Sequence, residues 1–209
     1  MNRLRINSCI STLASLVCVA ASQLMAGAAH ANSAIQVTDS NGQPVQDAVV
    51  YAELAGNPQI AKSATAEIQQ KDKKFMPFVT VVQTGTSISF PNNDTVRHHA
   101  YSFSPAKPFE LKLYSGKPAA PVIFDKSGTV IVGCNIHDQM VAYIHIVDTP
   151  YFAKTDASGA ARLPAIPAGK YVLKTWHPKQ PASVPVQEQN IQIDSNGPNL
   201  TVKLNYKAG

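Results

Sequence analysis

Cys134, His137 and Met140 stand at even three-residue spacing in the stretch Gly133-Cys134-Asn135-Ile136-His137-Asp138-Gln139-Met140. They bring a thiolate, an imidazole and a thioether together within seven residues. Cysteine and methionine are soft ligands that suit copper, and imidazole suits copper and zinc alike. Apolar strand-like runs flank the stretch, Thr129-Val130-Ile131-Val132 before it and Val141-Ala142-Tyr143-Ile144-His145-Ile146-Val147 after it. A short loop between two strands aims all three side chains at one point. Two histidines and a cysteine in a trigonal set, with a weak axial methionine, describe an electron-transfer copper site. The stretch lacks only the second histidine.

That histidine lies upstream. Ser87-Ile88-Ser89-Phe90-Pro91 reads as a strand leading into Asn92-Asn93-Asp94-Thr95-Val96-Arg97-His98-His99. Successive side chains of an extended strand point to opposite faces, so only one of His98 and His99 faces the metal. At these residues the chain resembles the cupredoxins, the family of plastocyanin and amicyanin. In that family the first copper histidine follows an Asn-containing turn, and one loop of the form Cys-x(n)-His-x(n)-Met supplies the rest. The resemblance implies one Cu ion held by His98, Cys134, His137 and Met140, with the short loop spacing of amicyanin. His98 matches the plastocyanin register of Asn-Asn, four residues, His, and a slip of one residue would exchange it with His99. His99, Asn92 and Asn135 are the candidates for supporting the ligands. Two departures from the family stand out. Asn135 follows the cysteine where a small hydroxyl residue is common, and Asp138-Gln139 occupies positions where apolar or proline residues are frequent. These make the site more polar and leave a low-potential or non-blue site open.

Each residue has a plainer alternative. Cys134 could be a buried inert thiol, and Met140 could fill core, as methionine often does. A nucleophilic Cys134 would need a matched histidine and an orienting group. His145 reads as a surface residue of its strand. Trp176-His177 reads as an aromatic packing residue followed by a solvent-facing histidine.

The elements that position these side chains are strands. The 209 residues are 44% hydrophobic and 15% charged, with 15 prolines and 11 glycines, a composition rich in turns and fit for an all-β fold. The first 31 residues carry Arg3 and Arg5, an apolar run from Ile10 to Ala28, and Ala29-His30-Ala31, the pattern of a cleaved export signal. Removal would start the mature chain at Asn32 in the periplasm, with no membrane span left. Cys9 and Cys18 would leave with the signal, so Cys134 would be alone and without an internal disulfide partner. The formal charge of +5 would drop to 16 Lys and Arg against 13 Asp and Glu. That balance is too weak and too dispersed for nucleic-acid binding.

Two β units are legible. Residues 62–148 read as a Greek-key sandwich, with Lys74-Phe75-Met76-Pro77 stepping into Phe78 to Val82, a turn at Gln83 to Thr86, and strands at Phe109 to Tyr114 and Pro121 to Asp125. Residues 32–60 and 150–209 carry the two halves of another pattern. Ala34 to Asp39, the turn Ser40 to Pro44, and a strand from Val45 to Ala52 resemble the start of carboxypeptidase-regulatory-like, or transthyretin-like, Ig-type sandwiches. Thr155-Asp156-Ala157-Ser158-Gly159 and Ile166-Pro167-Ala168-Gly169-Lys170-Tyr171 resemble their second half. The cupredoxin is thus expected to be inserted in the second sandwich, entering at about 55–65 and leaving at about 148–152, or to lie beside it in series.

The function this implies is that of a periplasmic type 1, or blue, copper protein and one-electron carrier, not an enzyme. The chain also looks like methylamine-utilization proteins, which implies a periplasmic redox partner protein. A monomer is expected. Copper storage or delivery, or a binding and adhesion sandwich with a non-redox metal site, are the alternatives.

Overall fold

The structure, a computed structural model, describes residues 30, 31, 33–54, 64–118, 120–181, 183–194 and 197–208. The apolar leader lies outside the described residues, and so do residues 55–63 of the expected entry to the inserted unit. The expected cleavage point falls at the edge of this range, where His30–Ala31 pair antiparallel with Ile166–Pro167. Among the described residues every regular element is a strand, as the composition implies.

The strands holding the candidate ligands form a five-stranded sheet in the order Phe109–Tyr114, His98–Ser102, Gly128–Gly133, Val141–Val147 and Val79–Gln83. Neighbours are antiparallel except the last pair, which is parallel. A facing sheet is built from Val122–Phe124, Thr86–Ser89 and Thr65–Glu67. Period-two alternation explains the layer between them. Val130 and Val132 are buried while Ile131 between them is exposed, and Ala142, Ile144 and Ile146 point the same way inward. Phe75, Phe90 and Phe124 fill the rest of this core, and Cys134 and Met140 belong to it.

Another pair of sheets has its own core. One runs Phe152–Lys154, Val49–Leu54, Gly169–Trp176, Gln187–Ile193, and the other runs Ala160–Arg162, Ala34–Thr38, Asn199–Lys203. Ile35, Val37, Val50, Leu173, Ile193 and Val202 meet between them. Strands from the two ends of the chain are therefore sheet neighbours: Val49–Leu54 pairs along its whole length with Tyr171 to Trp176. The strand expected from Val45 begins only at Val49. The chain before it is occupied by turns: the Asp39 carboxylate accepts from the Asn41 and Gln43 N–H groups, and Asp47 adopts φ 62°.

The two units share an apolar contact made by Val49, Tyr51, Val79, Val147 and Trp176. It explains why Val49 to Ala52 and Ile144 to Val147 are buried without alternation, since both faces of each strand are covered. Here the structure corrects the expectation of a surface His145. The residue is buried, its ring stacks on Trp176 with centroids 4.6 Å apart at 10°, and Nδ1 lies 3.0 Å from the Thr129 hydroxyl. Burial lowers its pKa to about 4, so the ring is neutral at pH 7. His177 is likewise buried rather than solvent-facing, with Nε2 donating to the Gln46 carbonyl at 3.2 Å.

Candidate metal centre

The site is built from two neighbouring strands and the loops that leave them. Gly128–Gly133 delivers Cys134 at its end, and Gly133 is paired with Tyr101 of His98–Ser102. The loop then tightens, with the Met140 N–H bonding the His137 carbonyl at 2.9 Å, before Val141–Val147 returns along Gly128–Gly133. This geometry carries His137 back over Cys134 and lays Met140 into the core. His98 opens the adjacent strand.

One ligand atom from each of His98, Cys134 and His137 lies within 4.8 Å of the others. His98 is fully buried, Cys134 is buried and free, and His137 is partly exposed. The two imidazole rings meet edge to face with centroids 5.0 Å apart. Met140 is 1% exposed and packs in the same apolar cluster as Cys134. The Nδ1 atoms of both His98 and His137 are buried without a hydrogen-bond partner. Two buried, unpaired imidazole nitrogens beside a buried thiol are costly unless something accepts their lone pairs. A borderline-soft cation fits that requirement, and the donor set suits copper or zinc. Among the described residues this is the one cluster of three or more His, Cys, Asp or Glu side chains placed to hold a metal.

The remaining expected residues have distinct places. Asn92 contributes no free donor atom. Its Nδ2 donates to the Val96 and Tyr114 carbonyls at 2.9 and 2.8 Å, and its Oδ1 accepts from the Asp94 N–H at 3.0 Å. It therefore shapes the turn that leads to His98. Asn135 and Asp138 are exposed. His99 is buried but stands outside the ligand cluster, between Tyr101 and Glu110. Its Nε2 is 3.1 Å from a Glu110 oxygen, but the ring N–H is not directed at it and makes no hydrogen bond.

Sequence reasoning missed Asp94. Its carboxylate lies 2.7 Å from Nε2 of His98 and also accepts the backbone N–H groups of Asp72 and Lys73 at 2.7 and 2.9 Å. Burial would raise its pKa, but the Lys73 N–H, the His98 ring and the Asp72 N–H together hold it below the usual carboxylate value. The four-residue spacing to His98 was visible, but the Asp72-Lys73 turn that anchors the carboxylate comes from a distant part of the chain. On the thiol side, burial pushes the Tyr114 hydroxyl up to about 12, so it stays protonated and donates to the Phe90 carbonyl at 2.5 Å. A separate cleft of about 640 Å³ lies between the two units, lined by Tyr51, Glu53, His145, Lys174 and Trp176, and includes no candidate ligand.

No protein-family model and no curated protein matches this chain. Among solved structures it is similar to a purple cupredoxin from Nitrosopumilus maritimus, at 18% identity and a TM-score of 0.34, over 39% of this chain and 98% of that one. It is similar to a reduced variant of amicyanin at 15% identity and a TM-score of 0.36, over 46% of this chain and 98% of that one. A copper-containing nitrite reductase from Thermus scotoductus is similar at 21% identity and a TM-score of 0.36, over 53% of this chain, which spans 28% of the enzyme's length.

Proposed function

We propose that this protein is a one-electron carrier with a single copper ion bound by His98, Cys134, His137 and Met140. The observation that carries the reading is the convergence of His98, Cys134 and His137 within 4.8 Å, with two buried imidazole nitrogens left unpaired. Copper bound there would cycle between Cu(I) and Cu(II) and so pass one electron. The chain's contribution is to restrain and shield. Cys134 directly follows Gly133, the last residue of its strand, and His98 begins the neighbouring strand opposite Tyr114, so backbone pairing holds the chain beside each ligand. Burial of Cys134 and Met140 keeps water from the soft donors, while the partly exposed His137 gives the centre an edge toward solvent. Asn135 and Asp138 lie exposed on that side and make it polar rather than apolar. A polar edge suits a redox partner protein that docks through charged and hydrogen-bonding groups.

The sequence of the first 31 residues supports export to the periplasm, with electron exchange between soluble partners there. The test is the visible absorption of the copper-loaded protein. Intense thiolate-to-copper absorption that bleaches on reduction and returns on oxidation is expected. A colourless copper complex, or uptake of Zn(II) with equal retention and no reversible redox step, would overturn the electron-carrier reading in favour of storage or delivery.

A further inference from the structure

We infer that Asp94 is a positioning residue that fixes the ring proton of His98 on Nε2 and presents Nδ1 as the metal donor. The inference rests on the reading of His98 as a ligand. Both Asp94 oxygens already accept backbone N–H groups, so across the 2.7 Å contact the carboxylate accepts the hydrogen carried by Nε2. Nδ1 is then the lone-pair nitrogen, and it is the buried, unpartnered atom of the ring. The carboxylate is itself immobilised. Its two oxygens take the N–H groups of Asp72 and Lys73, the two residues of a tight turn with φ of 52° and 55°. Its own N–H is held by Asn92 Oδ1, and the Asn92 side chain is tied in turn to Val96 and Tyr114. The side chain of Asp94 is only 12% exposed, so solvent screens its charge little.

His137 has no counterpart to this arrangement. Its buried Nδ1 has no hydrogen-bond partner, and Asp138 beside it is exposed. The two imidazoles are therefore unequal: one is oriented by a fixed carboxylate, and the other is held by its loop alone. A carboxylate behind a ligating imidazole raises its basicity and orients it. The added negative charge favours the more highly charged metal ion, so Asp94 selects Cu(II) over Cu(I) at this centre.

The experiment uses the full chain in two parts. In metal-free protein, long-range 15N–1H spectra of the histidine rings read the tautomer of His98. The wild type should show the Nε2–H form alone, and Asp94→Ala should show a mixture. In copper-loaded protein, Asp94→Ala should lower Cu(II) affinity by about ten- to a hundredfold, by the usual cost of losing such a partner. Each tenfold loss of preference for Cu(II) over Cu(I) should raise the reduction potential by about 59 mV. Asp94→Asn keeps the side-chain shape without the charge, so it should raise the potential even where the tautomer is retained. It also decides the matter should the alanine variant fail to fold. An unchanged tautomer, affinity and potential in the variants would overturn the inference. Failure of the wild type to take copper at Cys134 would instead sink the electron-carrier reading, and the metal-free spectra would still decide the role of Asp94.

Discussion

Three side chains that meet at one point were legible as residues because two of them, Cys134 and His137, belong to one loop and the third opens the adjacent strand. Cys134→Ser should abolish the thiolate-to-copper absorption and leave the melting temperature of the metal-free protein nearly unchanged, since the thiol is unbridged. His98→Ala should also abolish it, whereas His99→Ala should keep it, as His99 stands outside the cluster. His145 and Asp94 were not legible, because what defines each comes from elsewhere in the chain. His145 is buried by Trp176 and Tyr51, and Asp94 is anchored by the turn at Asp72-Lys73. The buried His145 makes stability depend on pH in a stated direction. Its folded pKa, about 4, lies below the ordinary 6.5, so its contribution is whole above pH 6.5. As pH falls from 6.5 toward 4, the unfolded chain takes a proton that the folded ring refuses, and stability declines until it levels off. Denaturant melts should show the wild type losing roughly 3 kcal/mol more than His145→Phe across that window. Parallel pH profiles for the two proteins would refute this.

Among the elements, the alternating strands were readable wherever one face meets a core and the other meets water, as in Gly128–Gly133. The all-β class follows from the same pattern. The readings failed where a strand is covered on both faces, because alternation then carries no information about which side is outward. Val141–Val147 is such a strand, and its unbroken Ile144 to Val147 run was the available sign. Turns are the other determinant. Gly159 holds φ +76° in the Asp156 to Ala160 turn, and a Cβ there would stand 2.5 Å from the Val37 carbonyl oxygen and 3.0 Å from the Val45 nitrogen. Gly159 also accepts the Val37 N–H through its own carbonyl at 2.8 Å. Gly159→Ala combines left-handed strain with a backbone clash, so it should destabilise the protein by about 2 kcal/mol or more. A melt of the variant within experimental error of the wild type would show that this turn yields freely.

For the whole molecule, strands from the two ends of the chain share sheets. Val49–Leu54 lies between Phe152–Lys154 and Gly169–Trp176, and Ala34–Thr38 lies between Ala160–Arg162 and Asn199–Lys203. We propose that residues 32–60 and 150–209 form one unit and 62–148 the other. A fragment of residues 62–150 should then fold alone and bind copper, since its core and all candidate ligands are internal. A fragment of 150–209 should stay unfolded, because it lacks two strands and leaves open edges. Circular dichroism and thermal melts of both fragments check this, and a stable 150–209 fragment would contradict the division. In sequence the two halves were readable as one interrupted pattern, but which strand pairs with which was not, because pairing across such a separation leaves no local signal.

That union sets an order in time. As the chain emerges, Ala34–Thr38 is synthesised among the first described strands, yet both of its sheet neighbours come from beyond residue 159. The ligand-bearing sheet has all its strands by Val147. The inner unit can therefore close while the opening strands still wait with unpaired edges, and the last described strand, Asn199–Lys203, completes the sheet of one of the first. Such a late, long-range closure is slow and leaves the nascent chain open to mispairing. A protein cut short between Val147 and its final described strand would thus carry a finished candidate metal pocket attached to an unfinished support.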